Sequence, residues 1–193
     1  MGLAEVVRGD NNLYLRVLEN LERHVMGKKQ SLLKQTQKKL LDGKAVNPIK
    51  VVIESKNQGG FQTKILIRDH EIISDQPFGF NGQNKGPKPS ELVLAALAAC
   101  QETTYRIFAE DMGIEIGEIS VQLKGTQDLR GFMALDEKIP AGFTNIVGQI
   151  FIQSDATEEE LELLRQRVDQ YCPVLDDLRR PVDVSFSIKR RSN

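Results

Sequence analysis

The sequence has little of three features that mark common protein classes: long hydrophobic runs, an excess of one charge and numerous cysteines. The longest uninterrupted apolar run near the middle, Leu92 to Cys100, spans nine residues, whereas a membrane-spanning helix needs about 20. The 26 basic side chains are balanced by 27 acidic ones, which leaves a net charge of -1. That balance gives no electrostatic reason to expect nucleic acid or an anionic membrane as a partner.

Cysteine and histidine are also scarce. Two cysteines in 193 residues are too few for a disulfide scaffold, and residues 1–12 lack the basic start and long apolar stretch of a secretory signal. These features predict a cytoplasmic protein with reduced thiols. The two histidines, His24 and His70, lie far from each other and from either cysteine along the chain, so we expect no metal site and no cofactor.

What the sequence does contain is a helical extension, residues 1–45, followed by an α+β domain, residues 46–193. Apolar residues at helical spacing predict helix over residues 11–42, interrupted at Gly27 and stopped by Asp42-Gly43. Its apolar stripe leads us to expect that the extension packs on the rest of the protein. In the domain, short β-branched runs predict three strands, at residues 50–55, 62–68 and 71–74, with a turn at 57–60.

The second half of the domain is organised around two helices. A loop at residues 75–90 leads to a long helix that starts at Pro89-Ser90, runs to about Met112 and stops at Gly113. Its first half is apolar on nearly every face, which predicts burial. The remaining predictions are strands at 114–124, 143–153 and 182–188, an irregular loop at 126–142, and a helix from the Thr157/Glu160 capping box to Cys172-Pro173.

Spacing alone favours a structural role for both cysteines, because free cysteine usually fills a gap in the core. A reactive cysteine must be a thiolate, and an ordinary thiol with a pKa near ~8.5 is mostly protonated at neutral pH. Neighbours on the same helix do not supply a positive charge: Glu102 is an anion, and Arg106 lies roughly 240° around the helix from Cys100. The activating charge must therefore come from another segment or another subunit.

Two segments carry a family resemblance. Residues 76–100, QPFGFNGQNKGPKPSELVLAALAAC, resemble the stretch before the peroxide-reacting cysteine of OsmC/Ohr proteins, with its Gly/Pro-rich loop, Pro-(Glu/Ser)-Glu-Leu helix start and Ala-rich helix ending in cysteine. Residues 171–178, YCPVLDDL, are similar to the family's Cys-Pro segment at the end of its second long helix. Two cysteines in these settings and this order form a fairly specific pair. The resemblance covers about residues 48–190 and leaves residues 1–45 outside.

This resemblance implies an OsmC-like α+β fold, in which antiparallel sheets surround a long buried central helix in an intertwined homodimer with active sites at the subunit interface. It also implies a reaction. An organic hydroperoxide would oxidise Cys100 to sulfenic acid, Cys172 would condense with it to a disulfide, and an external dithiol would reduce both again. The apolar helix around Cys100 would favour alkyl or lipid hydroperoxides over hydrogen peroxide.

The helix start departs from the peroxidase pattern. The peroxidases place an arginine in the early strand–loop region and a glutamate directly after the helix-start proline. Here Ser90 follows Pro89, Glu91 is displaced by one position, and Gln83 stands where some members carry arginine. Glu91 lies about 13.5 Å from Cys100 along an ideal helix and on the opposite side, so it could act only across an interface. The candidates for the activating cation are Arg68, Lys64 and Lys85.

Three functions therefore stay open. The leading hypothesis is a thiol peroxidase for organic hydroperoxides, with Cys100, Cys172 and Glu91 as its site. The alternative, motivated by the missing arginine, is a non-catalytic OsmC-like dimer that binds an apolar small molecule or a protein partner. The third is a structural protein whose N-terminal helices dock a partner.

Overall fold

The computed structural model describes residues 30–191 as a mixture of helices and antiparallel strands, which confirms the predicted α+β class. A 3-10 turn, Phe78–Phe80, lies in the loop before the longest helix. The strands are β1 (Glu54–Gly59), β2 (Gln62–Ile67), β3 (His70–Ser74), β4 (Ile119–Gln127) and β5 (Phe143–Ile152). The helices are α1 (Leu32–Leu41), α2 (Pro89–Met112), α3 (Leu129–Phe132), α4 (Glu158–Tyr171) and α5 (Pro173–Arg179).

The strands form two separate antiparallel sheets. One is a three-stranded meander in the order β1-β2-β3, and the other is the long hairpin β4-β5, in which Ile119 pairs with Ile152. The turn between β1 and β2 uses Gly59 and Gly60 at φ values of 111° and 54°, a region that glycine enters without steric cost. The Asn57 side chain closes this turn by accepting a hydrogen bond from the Gly59 N–H at 2.9 Å.

Helix α2 has the predicted bounds. Pro89 occupies its first turn, and Gly113 ends it at a left-handed φ of 70°. The C-terminal half of α2 packs against α4 and β4, where Leu164 and Val168 of α4 are fully buried. The buried residues of α2 share one face of the helix and are Leu97, Gln101, Thr104, Tyr105, Phe108 and Ala109.

Burial along α2 is uneven in a way that the sequence did not indicate. Between Glu91 and Cys100 only Leu97 is buried, and Val93 is 38% exposed although the segment is apolar on most faces. The reason is that the β1-β2-β3 sheet makes only sparse contact with α2 in the single chain. An apolar helix half is therefore left without a covering layer.

Helix α1 lies against the C-terminal end of α2. Its N-cap residue Ser31 accepts a hydrogen bond from the Lys34 N–H at 3.3 Å and donates one to Asp111 Oδ1 at 2.7 Å. Asp42 and Gly43 end the helix as predicted, with Gly43 at a φ of 65°. The part of the predicted helix before Gln30, its interruption at Gly27 and His24 lie outside the described residues. No helix in the described range is both long and apolar enough to cross a membrane.

Several strand predictions are wrong in their bounds. The strand expected at residues 50–55 begins only at Glu54, and the strand expected at 114–124 begins only at Ile119. The segment 182–188 forms no strand in the described chain. The alternating pattern is present there, but a strand requires a neighbour at about 4.8 Å to hydrogen-bond with, and no strand of the described residues lies beside this segment.

Candidate functional site

The structure brings together two residues that are 72 positions apart, Cys100 and Cys172. Their sulfur atoms are 3.3 Å apart, and both thiols are free. Cys100 lies in the middle of α2, whereas Cys172 lies at the junction between α4 and α5. Cys172 is fully buried and Cys100 is half-buried, so the two thiols differ in their access to solvent.

The bend in the chain at Cys172 follows from the next residue. Proline disfavours helix in the residue before it, and Cys172 accordingly has an extended conformation with φ -71° and ψ 114°. Pro173 then becomes the first residue of α5, a position where its missing N–H costs nothing. The sequence predicted that Cys172-Pro173 ends α4, which is confirmed, but it did not predict α5.

The surroundings of Cys172 favour its neutral form. Burial raises the pKa of the Cys172 thiol, and the contact with Cys100 raises it further, while hydrogen bonds from the Leu175 N–H and Thr104 lower it by less. The net direction is upward, which keeps the Cys172 proton in place at neutral pH. No basic side chain takes part in this shift.

The predicted cation candidates lie on the β1-β2-β3 sheet, in its turn and in the loop before α2. Lys64 is paired with Glu71 at 2.5 Å on the β1-β2-β3 sheet. Lys85 lies in the loop before α2, where its N–H donates to Asp75 at 3.2 Å. Arg68 lies in the turn between β2 and β3 at a φ of 55°.

Glu91 is also separated from the thiols. Its carboxylate accepts a hydrogen bond from the Lys88 N–H at 3.0 Å and so caps the first turn of α2. A position nine residues before Cys100 places it about 13.5 Å away along the helix axis. The single chain therefore does not bring Glu91 to the thiol pair, and its role in the site stays a prediction.

Two polar residues of α2 that follow Cys100 in the sequence were not assigned a role from the sequence. Thr104 donates its hydroxyl to the Cys100 carbonyl oxygen at 2.7 Å and is one of the groups that act on Cys172. Its spacing of four residues from Cys100 was the signal that could have identified it. Gln101 is 5% exposed, and its Oε1 has no hydrogen-bond partner among the described residues. No pattern in the sequence marks that oxygen.

The loop that leads to α2, residues 75–88, is anchored by a buried carboxylate. Asp75 is 1% exposed and accepts hydrogen bonds from the N–H groups of Gln76, Gln83 and Lys85 at 2.8, 3.0 and 3.2 Å. Burial acts to raise the pKa of Asp75, but these three donors outweigh it and lower that pKa. The exposed side chain of Phe78 lies in this loop.

The described chain also contains a cavity away from the thiols. Among residues 30–191, no cluster of three or more His, Cys, Asp or Glu side chains could hold a metal ion. A cavity of about 610 Å³ lies between the end of β4 and the loop before β5, with Asp128, Arg130 and Lys138 in its wall. Neither cysteine lines this cavity.

A family model described as OsmC-like protein matches residues 82–187 of the chain, which is more than half of its 193 residues and includes both cysteines. The chain belongs to the OsmC family. No curated protein sequence is significantly similar to it.

Solved structures of OsmC proteins share the fold. An OsmC-like protein from Mycoplasma pneumoniae aligns with a TM-score of 0.60 and 22% identity over 68% of this chain and 89% of its own. An organic hydroperoxide resistance protein OsmC from Legionella pneumophila aligns with a TM-score of 0.55 and 18% identity over 69% of this chain and 92% of its own. An organic hydroperoxide resistance protein from Elizabethkingia anophelis aligns with a TM-score of 0.55 and 20% identity over 70% of this chain and 91% of its own.

Proposed function

We propose that this OsmC-family protein is a thiol peroxidase that reduces organic hydroperoxides. The observation that carries the proposal is the contact between Cys100 and Cys172, whose sulfurs are 3.3 Å apart. A disulfide needs a sulfur–sulfur distance of about 2.05 Å, so the two atoms are close enough to bond after a small movement. Two structurally similar family members are named organic hydroperoxide resistance proteins.

The reaction assigns a different step to each cysteine. The Cys100 thiolate attacks the outer oxygen of the hydroperoxide, the O–O bond breaks, and the products are the Cys100 sulfenic acid and, after protonation, an alcohol. The Cys172 thiol then attacks the sulfenic sulfur, which releases water and forms the disulfide. An external dithiol reduces the disulfide to two thiols and is itself oxidised to a disulfide. The half-buried position of Cys100 and the full burial of Cys172 support this order. A site kept reduced in this way fits the cytoplasm.

We also propose that the active form is a homodimer. Within the described residues the apolar first half of α2 and the alternating segment 182–188 lack a covering layer, and Glu91 is distant from Cys100. A second copy could cover both surfaces and bring Glu91 or a cation to the thiol pair. In this arrangement residues 46–193 form the catalytic domain and residues 1–45 form an extension that docks on it.

Stoichiometric oxidation tests the peroxidase proposal. Fully reduced protein receives one equivalent of cumene hydroperoxide, free thiols are counted, and peptides are identified by mass spectrometry. We expect both thiols to disappear and a Cys100–Cys172 bond to form. Cys172→Ser should instead stop at a sulfenic acid that dimedone traps on Cys100, and Cys100→Ser should leave the peroxide unreduced. Survival of both thiols in the unaltered protein would eliminate the proposal.

The second candidate function is a non-catalytic OsmC-like dimer that binds an apolar small molecule or a protein partner. It is supported by two observations: no basic side chain acts on Cys172, and Glu91 caps its own helix. Under this candidate the phenotype of a deletion strain would be restored by Cys100→Ser as fully as by the unaltered protein. Loss of restoration with Cys100→Ser would leave the peroxidase as the better candidate.

A further inference from the structure

The contact between the two thiols and their unequal burial point to a second role for the buried one. The two sulfurs lie in hydrogen-bond contact at 3.3 Å, and either thiol could in principle be the donor. We propose that Cys172 has a role before it forms the disulfide. Its S–H donates a hydrogen bond to the Cys100 sulfur, which stabilises the Cys100 thiolate and so makes it reactive towards peroxide. This inference rests on the proposed function and adds a step to the role of Cys172.

The position of the proton follows from burial. Taking a charged group out of water disfavours its ionised form, and Cys172 is 0% exposed while Cys100 is half-buried. When two interacting thiols share one negative charge, burial favours the arrangement with that charge on the sulfur with more access to solvent. The remaining proton lies on Cys172, in the position to donate to Cys100.

Among residues 30–191, the other donors near the pair are directed at atoms other than Cys100 Sγ. The Thr104 hydroxyl donates to the Cys100 carbonyl oxygen, and the Leu175 N–H is directed at Cys172. Of the arginines on the helices packed around the pair, Arg106 donates to the Gly117 carbonyl oxygen, and Arg167 stacks on the Tyr171 ring at 5.2 Å. Ion pairs also join Arg165 with Glu162 and Asp169, Arg179 with Asp169, and Arg180 with Asp176.

The hydrogen bond also sets the order of the two steps. Oxidation converts the Cys100 thiolate into a neutral sulfenic acid, which removes the negative charge that the Cys172 S–H was bound to. Cys172 is then free to attack, and its proton leaves with the sulfenic oxygen as part of the water molecule. The same proton thus stabilises the first reactant and is released in the second step.

The test compares donors of different kinds at position 172. The full-length protein, Cys172→Ser and Cys172→Ala are reduced, and the rate of Cys100 alkylation by iodoacetamide is followed from pH 5 to 10, with the labelled peptide identified by mass spectrometry. A hydrogen bond to a charged group is stronger than a neutral one, but S–H is a weak donor. We therefore expect Cys172→Ala to slow alkylation at pH 7 by about three- to tenfold, and Cys172→Ser, which keeps an O–H donor, to stay within about twofold.

A matched control separates the hydrogen bond from packing. Val168→Ala truncates an equally buried side chain of the same core and leaves both sulfurs in place, so its alkylation profile should match that of the unaltered protein. Equal rates for Cys172→Ala and Cys172→Ser, or a Val168→Ala rate as slow as that of Cys172→Ala, would overturn the inference. Because alkylation needs no peroxide, this result is independent of whether the protein reduces hydroperoxides.

Discussion

At the scale of single residues, two groups that lose a proton at high pH lie in the core formed by α2 and α4. Tyr105 is 2% exposed, and burial, followed by the nearby Asp169 carboxylate, raises its pKa to about 12 despite the opposing effect of Arg165. Burial acts on the pKa of Cys172 in the same direction. Because the folded state holds these protons more tightly than the unfolded chain does, their contribution is complete below the ordinary pKa and is lost as pH rises through the folded value.

Replacing Tyr105 by Phe should therefore weaken the alkaline loss of stability. We expect the unaltered protein to lose up to ~2 kcal/mol of unfolding free energy between about pH 10 and 12. This value is smaller than the energy equivalent of the whole Tyr105 pKa shift, because solvent screens part of that shift. Tyr105→Phe should lose less over the same range in urea titrations under reducing conditions. Tyr171→Phe, which alters an exposed tyrosine, should retain the original dependence; identical curves for Tyr105→Phe and the unaltered protein would contradict the prediction.

Asp75 should give the opposite pH dependence. Its pKa is lowered in the fold, so its contribution is present above the ordinary carboxyl range and is lost as pH falls through the lower folded value. Asp75→Asn replaces an acceptor of three N–H groups by a side chain with only one acceptor oxygen.

We expect Asp75→Asn to lower Tm at pH 7, and this deficit to shrink as pH falls and the native carboxylate becomes protonated. Thermal melts at pH 7 and at about pH 3 measure both effects. Asp155→Asn, which alters a carboxylate outside this loop, provides the comparison for a change in net charge alone. A deficit that is the same at both pH values would show that the charge of Asp75 is not involved.

Among the structural elements, the loop at residues 75–88 is held by internal hydrogen bonds that fix the start of α2. Besides the Asp75 hydrogen bonds, the Ser74 hydroxyl donates to the Pro87 carbonyl oxygen at 2.9 Å, and the Asn84 N–H donates to the Gln76 carbonyl oxygen at 3.0 Å. The chain can pass so close to itself because of a glycine at position 86: a Cβ there would overlap the Ile73 carbonyl oxygen.

Two glycines of this loop should respond very differently to alanine. Gly86→Ala forces the backbone of the loop away from β3, and overpacking of this kind costs about 1–3 kcal/mol. Gly79→Ala adds a Cβ that meets nothing within 4 Å, so its stability should change by less than about 0.5 kcal/mol. Urea unfolding of the two variants measures the difference, and equal stabilities would contradict the close approach.

At the scale of the whole molecule, the described chain leaves apolar surface uncovered. Val184, Phe186 and Ile188 are 70%, 95% and 100% exposed, and Val51 and Val52 are 79% and 73% exposed. Exposed apolar surface of this extent marks an interaction site. In a strand, alternate residues face one side, so pairing of residues 182–188 with a second copy would bury the apolar set and leave the polar set in solvent.

Charge introduced on that apolar face should separate the subunits. We expect Phe186→Asp to weaken the proposed dimer, with a lower mass in light scattering and a lower Tm, because a carboxylate would have to be buried unpaired. Ser187→Asp carries the same charge one position along, on the opposite side of an extended segment, and should behave as the unaltered protein. A protein that is monomeric at micromolar concentration before substitution would refute this assembly.

Elements that depend on local chemistry could be predicted from the sequence alone. The bounds of α2 follow from Pro89 and Gly113, the start of α4 follows from the Thr157 capping box, and its end follows from Pro173. The family resemblance was also readable, because the settings of Cys100 and Cys172 lie within short segments. These features could be predicted because each depends on residues a few positions apart.

Relations between distant segments depend on how the helices and sheets pack. The 3.3 Å contact of the two sulfurs depends on how α4 packs on α2, and no pattern within either helix fixes that distance. The separation of Glu91 from the thiols and the exposure of residues 182–188 are likewise properties of packing. An alternating pattern shows that one face of a segment is apolar, but whether it becomes a strand depends on a neighbour that the local sequence does not specify.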